Sequence, residues 1–229
     1  MKFSFSYRSY SGKQFRPTPE VHNDEKTLIV ATPWGNRDAA KKAIDRILEY
    51  LILCNEDREA TTPFQRLSCL SVGANNLRIA ALLANESIFR EDNNVEYRNG
   101  VELFTMSLTD GELVWMQIGQ PQILLVRKSR QMITLAGAMD LSFDLSGSEE
   151  LLPSLPNQLL GLDSSLNLTI NSFRPQPYDQ LVLLSHSELP RELYQMTPRD
   201  FELDQMSKHL SKISPDLAFW LGLIEFSEK

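Results

Sequence analysis

Residues 101–119 read VELFTMSLTDGELVWMQIG, and this stretch decides whether the middle of the chain is helical or strand-rich. Two β-prone runs flank the pair Asp110-Gly111. An Asp-Gly pair between such runs is a strong short-range signal for a tight β-hairpin. The stretch therefore predicts two antiparallel strands.

A strand and an amphipathic helix are predicted upstream of this hairpin. Leu28–Ala31 is a short apolar run typical of a buried strand, and we expect it to stop at Pro33, which has no backbone N–H to donate. From Asp38 to about Leu53, apolar residues recur at spacings of three and four, with charged residues between them. This pattern predicts a helix whose buried face includes Ile44, Ile47, Leu48 and Leu51.

The next segment predicts a second helix. Thr62-Pro63 is a plausible N-cap followed by a proline in the first turn, and the apolar spacing continues to Ile88. Gly73 is a possible interruption of this helix.

Downstream of the hairpin the chain is mostly strand-like. A helix is predicted from Thr197-Pro198 to about Lys212. Strands are predicted at Ile123–Val126, Gln131–Leu135, Leu166–Ile170, Leu181–Ser185 and Ala218–Phe226. The order of strand, two helices, several strands, one helix and a last strand favours an α+β layout over a doubly wound one.

Composition excludes several function classes. The 229 residues carry 30 acidic and 23 basic side chains, and the net charge of −7 gives no electropositive face for nucleic acid. No stretch approaches the roughly 18 apolar residues of a membrane span, so we expect no membrane partner. Cys54 and Cys69 lie in apolar segments, which favours buried free thiols over a disulfide. We expect one cytoplasmic domain over residues 1–229.

Two stretches carry a family resemblance. Thr27–Gly35 (TLIVATPWG) and Tyr178–Leu189 (YDQLVLLSHSEL) resemble the frames V-A-D-G-x-G-G and G-D-x-L-L-L-x-S-D-G-L of the metal-dependent serine/threonine protein phosphatases, the PPM family. Each family frame carries a metal-binding Asp. Thr32 and His186 stand at those two Asp positions. The chain thus resembles a phosphatase scaffold without most of its metal site.

Weaker matches follow in the family's order. Asn157–Gly161 (NQLLG) resembles the r-x-L-G turn, and Ser214–Phe226 (SPDLAFWLGLIEF) resembles the closing D-N-x-T strand with Asp216 at the Asp position. The resemblance implies an α+β fold, a four-layer α-β-β-α sandwich of two antiparallel sheets flanked by helices.

The implied chemistry needs the carboxylates that are missing. The family's two Mn²⁺ or Mg²⁺ ions are hard cations held through Asp oxygens and water, and they activate the attacking water and offset phosphoryl charge. Thr32 is neutral, Pro33 keeps only a carbonyl, and the His186 imidazole suits softer metals. Only Asp216 remains, so we expect no bound metal and no cofactor.

The N-terminal frame G-x-x-R-x-x-N-x-D, which supplies a phosphate-contacting Arg, is matched loosely by Gly12–Glu20 (GKQFRPTPE). In register, Phe15 takes the Arg position and Glu20 the Asp position. A one-residue insertion recovers Arg16 instead. Arg16 or Glu20 as a remnant contact stands against an ordinary surface loop.

The sequence-based hypothesis is a catalytically inactive PPM-like pseudophosphatase that binds another protein or regulates it. Its vestigial cleft is expected at Thr32, Pro33, Trp34, Gly35, His186 and Asp216, with no catalytic residue. Two alternatives stay open: a divergent phosphatase with a rearranged manganese or magnesium site, and a sensor that binds a small ligand in the cleft.

Overall fold

The protein is described by a computed structural model that covers residues 1–56, 62–127, 132–145, 152–186, 189–196 and 201–228. The chain forms two compact units. Unit 1 contains residues 1–18, 119–157 and 175–229, and unit 2 contains residues 19–118 and 158–174. Each unit holds one antiparallel five-stranded sheet. The expectation of a single domain stays a prediction.

Unit 2 carries the sheet that contains the predicted hairpin. Its strands lie in the order β2-β3-β4-β5-β8, and a π-helical turn at Ile88–Asp92 follows its second helix. Its elements are β2 (Glu20–Asn23), β3 (Thr27–Gly35), α1 (Asp38–Glu56), α2 (Val72–Ser87), β4 (Asn99–Thr109), β5 (Glu112–Ile118) and β8 (Thr169–Phe173).

The hairpin between β4 and β5 is confirmed. Thr109 pairs with Glu112, and the two residues between them, Asp110 and Gly111, have φ angles of 53° and 78°. Positive φ at both central positions matches the right-handed twist of the strands, and Asp and Gly reach it at little cost. This turn sets the register of the two strands.

The helices of unit 2 pack on one face of its sheet. Ile44 and Ile47 of α1 are buried there, while Leu48 and Leu51 are half-buried against the same core. The sheet contributes alternate residues to that core, among them Ile29, Ala31, Val101, Leu103, Met116 and Ile118. Alternate strand residues point to opposite faces, so the even-numbered residues of β3 and β4 face away from the helices.

Two predicted boundaries in unit 2 are wrong. Strand β3 does not stop at Pro33 but continues through it to Gly35, paired with β4. Its other neighbour, β2, pairs only as far as Ala31, so Pro33 lies where no ladder hydrogen bond is needed on that side. Strand β8 begins three residues later than Leu166.

Helix α2 also starts later than predicted. The Thr62-Pro63 signal is wrong, because Ser71 caps the helix and its side-chain oxygen accepts a hydrogen bond from the Ala74 N–H. The preceding segment is held by Asn75, whose side-chain amide bonds the carbonyls of Leu67, Leu70 and Ser71. The backbone carbonyls of this loop therefore find their hydrogen-bond donors in a buried amide and not in a helical turn.

Unit 1 carries the second sheet, in the order β1-β10-β9-β6-β7. Its elements are β1 (Lys2–Tyr10), β6 (Gln122–Val126), β7 (Ile133–Ala136), α3 (Leu141–Leu145), β9 (Gln180–Leu184), α4 (Leu203–Ile213) and β10 (Phe219–Ser227), with a 3₁₀ turn at Arg191–Gln195. Strands β1 and β2 were not predicted from the sequence. The start of the hairpin strand at Gln131 and the helix start at Thr197-Pro198 lie outside the described residues.

The core of unit 1 lies between α4 and its sheet. Met206 and Leu210 of α4 pack with Leu221 and Leu223 of β10 and with Val182 of β9. The buried Asp179 fixes the entry to β9, because its carboxylate accepts hydrogen bonds from the Gln176 N–H and the Arg127 side chain. Hydrogen bonds to a carboxylate are stronger than those between neutral groups, so these contacts hold the turn before β9.

The predicted α+β class, with two antiparallel sheets that carry helices, is confirmed. Trp115 and Trp220 are core residues, each about 1% exposed. Both cysteines are free thiols, but only Cys54 is buried, and Cys69 is exposed against expectation. Within the described ranges, no helix combines the length and the apolar character needed to cross a membrane.

Candidate functional site

The end of β3 carries four of the predicted site residues, all in unit 2. Thr32 is 1% exposed, and Pro33 and Trp34 follow it within the paired part of the strand. Gly35 has a φ of +101°, and a side chain there would collide with the Arg98 carbonyl oxygen. The chain therefore needs glycine at the point where β3 turns towards α1.

Thr32 is one of three buried polar side chains on the same face of the sheet, and we refer to the three as the polar cluster. Glu102 of β4 is the register partner of Thr32 and is also 1% exposed. Gln117 of β5 is also buried, opposite Phe104, which lies two residues along β4 from Glu102. All three point to the sheet face that α1 and α2 do not cover, which sequence reasoning did not identify as a polar site.

His186 lies in unit 1, directly after β9, and is 1% exposed. Its carbonyl accepts a hydrogen bond of 3.1 Å from the Gln122 side-chain amide, and its ring centroid lies 5.6 Å from that of Phe219. The neighbouring Ser185 side-chain oxygen accepts a 2.7 Å hydrogen bond from the Trp220 N–H, so it ties β9 to β10. Ser187 and Glu188 lie outside the described residues.

Asp216 also belongs to unit 1, in the segment between α4 and β10. Its carboxylate is 2.9 Å from the Lys13 ammonium nitrogen, and its side chain is 39% exposed. The Asp216 carbonyl accepts hydrogen bonds from the N–H groups of Lys13 and Gln14. The segment after β1 is thereby bound to the segment before β10.

Phe15 and Arg16, the two residues that can align with the family's Arg, differ in their exposure to solvent. Phe15, the in-register match to the family's Arg, is 75% exposed, whereas Arg16 is 9% exposed and donates a 2.9 Å hydrogen bond to the Ser154 hydroxyl. The segment is a loop, as expected, but the Arg16 side chain is mostly buried within it. Glu20, in unit 2, accepts a 2.8 Å hydrogen bond from the Arg37 side chain.

Typical metal-binding side chains do not cluster in the part of the chain that the structure describes. It contains no group of three or more His, Cys, Asp or Glu side chains that could hold a metal ion. The polar cluster carries a carboxylate, a hydroxyl and an amide oxygen, distributed over the neighbouring strands β3, β4 and β5. These are the donor types that Mg²⁺ and Mn²⁺ prefer.

Comparison with known proteins identifies the fold. No protein-family profile matches the sequence, and no curated protein matches it. Among solved structures, the serine/threonine phosphatase PstP/Ppp of Mycobacterium tuberculosis is similar over 100% of both chains, with a TM-score of 0.67 and 15% identity. The PPM Ser-Thr phosphatase MsPP of Mycobacterium smegmatis, in complex with cacodylate, is similar over 98% of both chains, with a TM-score of 0.67 and 13% identity.

These likenesses define the class of fold. The chain has the fold of the PPM serine/threonine phosphatases over its whole length, as the two sequence frames imply. At this level of identity the likeness concerns the fold alone.

The expectation that the chain takes no cofactor is wrong. A solved structure of this fold, the catalytic domain of PstP in complex with 2 manganese ions, is similar over 99% of both chains at a TM-score of 0.62 and 15% identity. The expectation rested on the loss of Asp at two positions alone.

Proposed function

We propose that this chain is a PPM-fold regulatory protein that binds another protein and has lost the two-metal phosphatase reaction. The observation that carries the proposal is Thr32, a buried neutral side chain at the end of β3 where the resembling frame has a metal-binding Asp. We infer that the other site positions are Pro33, Trp34, Gly35, His186 and Asp216, and that the protein works in the cytoplasm.

The charge at the site is the physical reason for the proposed loss of the two-metal reaction. A threonine hydroxyl cannot balance two divalent ions, and without two ions the attacking water is less acidic and the phosphoryl charge is less well stabilised. His186 gives no carboxylate either, and its carbonyl is already bonded to Gln122. Hydrolysis of this type therefore lacks the charges that drive it.

A regulatory role is supported by a similar structure and by the surface of unit 2. PppA of Pseudomonas aeruginosa, described as a key regulatory component of T6SS, has this fold with a TM-score of 0.63. In unit 2, apolar side chains stand in solvent near the end of α1 and the start of α2, namely Ile52, Leu53, Leu67 and Val72. Contiguous exposed apolar residues are typical of protein-binding surfaces, and we propose that these four residues form one.

The second candidate function is a divergent phosphatase with a rearranged metal site. It is favoured by the manganese complex of the similar PstP domain and by the buried Glu102 carboxylate next to Thr32. In this case the carboxylate would come from β4 and not from β3.

Hydrolysis of p-nitrophenyl phosphate with millimolar Mn²⁺ separates the two candidates. We expect the wild-type rate to equal that of Mn²⁺ in buffer, and to be the same in Glu102→Gln and Asp216→Asn. A Mn²⁺-dependent rate that either substitution abolishes would contradict the loss of catalysis and establish the second candidate.

Protein binding is tested with a photo-crosslinking amino acid at position 72. We expect a discrete protein adduct that is lost when Ile52 and Leu53 are changed to Asp, because charges on the patch oppose burial of its neighbours. The same probe at exposed Tyr7 of unit 1 is the control. Equal labelling from both positions would argue against a specific surface.

A further inference from the structure

We propose that two copies of this chain associate through the free edge of β1, so that the five-stranded sheets of their first units join into one continuous sheet. The partner is a second copy of the chain, with its β1 antiparallel to the first. The inference concerns unit 1 alone and does not rest on the proposed function.

Strand β1 is an open edge of its sheet. It pairs with β10 from Lys2 to Tyr10 without a register shift, and no other strand of the described ranges pairs with it. In an antiparallel pair, alternate residues direct their N–H and C=O groups away from the partner strand. Six of the nine residues of β1 are exposed and none is buried, so its outer backbone groups are accessible to another strand.

The other three sheet edges offer less. Strands β2 and β7 have four residues each and β8 has five, and the pairing of β7 with β6 contains a register shift. Short edge strands, bulges and prolines are the usual means by which proteins keep sheet edges from pairing. Strand β1, with nine residues and no proline, has none of these protections.

The sequence of β1, KFSFSYRSY, is complementary to itself when it runs antiparallel to a second copy with Ser6 on the two-fold axis. All nine residues then pair, which gives about eight to ten backbone hydrogen bonds, as many as a typical interface contains. Phe5 stands opposite Tyr7 of the partner subunit on both sides of the axis. Aromatic pairs across strands are stabilising, and the Phe5 and Tyr7 rings already stack at 5.8 Å within one strand.

Charge favours the same register. With the axis at Ser6, Arg8 stands opposite Ser4 of the partner subunit and Lys2 opposite Tyr10 of the partner subunit, so no like charges face each other directly. An axis at Phe5 would place Lys2 opposite Arg8 of the partner subunit, and like charges in that position are destabilising. At physiological salt the repulsion between two chains of net charge −7 is screened beyond about 8 Å.

The surroundings of Ser6 are acidic. Ser6 lines a cavity of about 450 Å³ whose carboxylates are Glu202, Asp204 and Glu225. Arg8 makes a 2.9 Å salt bridge to Asp204 at the start of α4, so the even-numbered residues of β1 lie on the face that α4 covers. Arg8 of the partner subunit would lie on this face too, beside the cavity, and would bring it a further positive charge.

Disulfide crosslinking tests the position of the axis. The background is Cys69→Ser, which removes the exposed native thiol. Ser6→Cys should form an intermolecular disulfide under mild oxidation, because Cβ atoms directly opposite each other lie about 4.5–5.5 Å apart, close to the roughly 3.5–4.5 Å of a disulfide. Ser9→Cys, at another exposed serine of β1, is the control. Its two copies would lie about 20 Å apart, since strands rise about 3.3 Å per residue. Equal crosslinking of the two variants would overturn the proposal.

Light scattering tests association without a crosslink. The wild type should have the mass of two chains at submillimolar concentration. Ser4→Arg places an arginine opposite Arg8 of the partner subunit twice in the symmetric interface, and should raise the dissociation constant about three- to thirtyfold. The neutral Ser4→Gln should associate as the wild type does. A wild type that stays monomeric, as it would if a different protein occupied the edge, overturns the proposal, and so does unchanged association of Ser4→Arg.

The dimer is distinguishable from the proposed binding of another protein. A photo-crosslinking probe at Tyr7 should label only a second copy of the chain and give an adduct of two identical chains, whereas the probe at position 72 should label a different protein. Failure of one result leaves the other unaffected. A Tyr7 adduct that contains a different protein and no second copy would also overturn the proposed dimer.

Discussion

At the scale of single residues, buried amides hold the loops of unit 2. The Asn93 side-chain amide donates hydrogen bonds of 2.6 and 2.7 Å to the carbonyls of Asn99 and Gly161. Its oxygen accepts hydrogen bonds from the N–H groups of Arg98 and Asn99. One side chain thus satisfies four backbone groups and positions the start of β4, three residues before Glu102.

Replacement of Asn93 by Ala should destabilise the protein by at least about 3 kcal/mol, because each buried backbone group left without a partner costs about 1–3 kcal/mol. Urea denaturation measures the change. Asn171→Ala is the matched control, since Asn171 is exposed on the edge strand β8, and we expect a change within about 0.5 kcal/mol. Similar losses in both variants would mean that the Asn93 network contributes little.

Asp24 gives the stability a pH dependence. Partial burial raises the pKa of its carboxyl, but hydrogen bonds from the Lys26 and Thr27 N–H groups and from His22 lower it further, so the net shift is downwards. A carboxyl whose pKa is lower in the folded state stabilises the fold at pH values above its unfolded-state pKa. This stabilisation is lost as the pH falls through the folded-state pKa.

Asp24→Asn should therefore be less stable than the wild type at pH 7, and the difference should shrink below pH 3.8, the ordinary value for this group. Urea midpoints of both proteins at pH 7 and pH 3 measure the effect. A difference that stays constant over this range would show that the charged form of Asp24 does not hold the turn between β2 and β3.

Whether a residue of the proposed site could be predicted from the sequence depended on the apolar and polar residues around it. Thr32, His186 and Asp216 were proposed as site residues because the apolar frames around them are intact. The burial of Glu102 was not predicted, because a charged residue near a strand start resembles a solvent-facing position. The available signal was VELFTM, in which both alternating sets are largely apolar, so the strand is buried on both faces.

At the scale of elements, α1 is the helix that sequence reasoning described best. Its spacing of three and four matches the helical repeat, so the buried and exposed sides follow from the sequence alone. The start of α2 could not be predicted in the same way, since Asn75 stabilises the preceding loop through tertiary bonds that no local pattern shows. Strand β1 was missed; its exposure alternates over Lys2–Ser6, but the four residues 6–9 are all exposed.

The packing of α1 is tested by two isoleucines on opposite sides of the helix. Ile47 is fully buried and Ile52 is 57% exposed. Ile47→Ala should cost about 2–5 kcal/mol, as large-to-small changes in a core do. Ile52→Ala should change the free energy of unfolding by less than about 0.5 kcal/mol. Comparable losses in the two variants would contradict the assigned buried face.

At the scale of the whole molecule, charge governs which partners are attracted. A net charge of −7 and a pI near 5.1 oppose binding to the phosphate backbone. Fluorescence anisotropy with a labelled DNA duplex at 50 mM salt should show no binding at micromolar protein, and the same should hold for single-stranded RNA. Binding that weakens with added salt would contradict this prediction.

The pairing of β1 with β10 has a consequence for biosynthesis. Lys2 pairs with Ser227 and Tyr10 with Phe219, so β10 stands between β1 and β9 in the sheet. During translation β1 emerges long before β10, and until then its backbone has no strand to pair with. Such non-local pairing is slow and leaves strand edges open. While unit 1 is being synthesised, β1 therefore stays open to non-native strand pairing until β10 has been made.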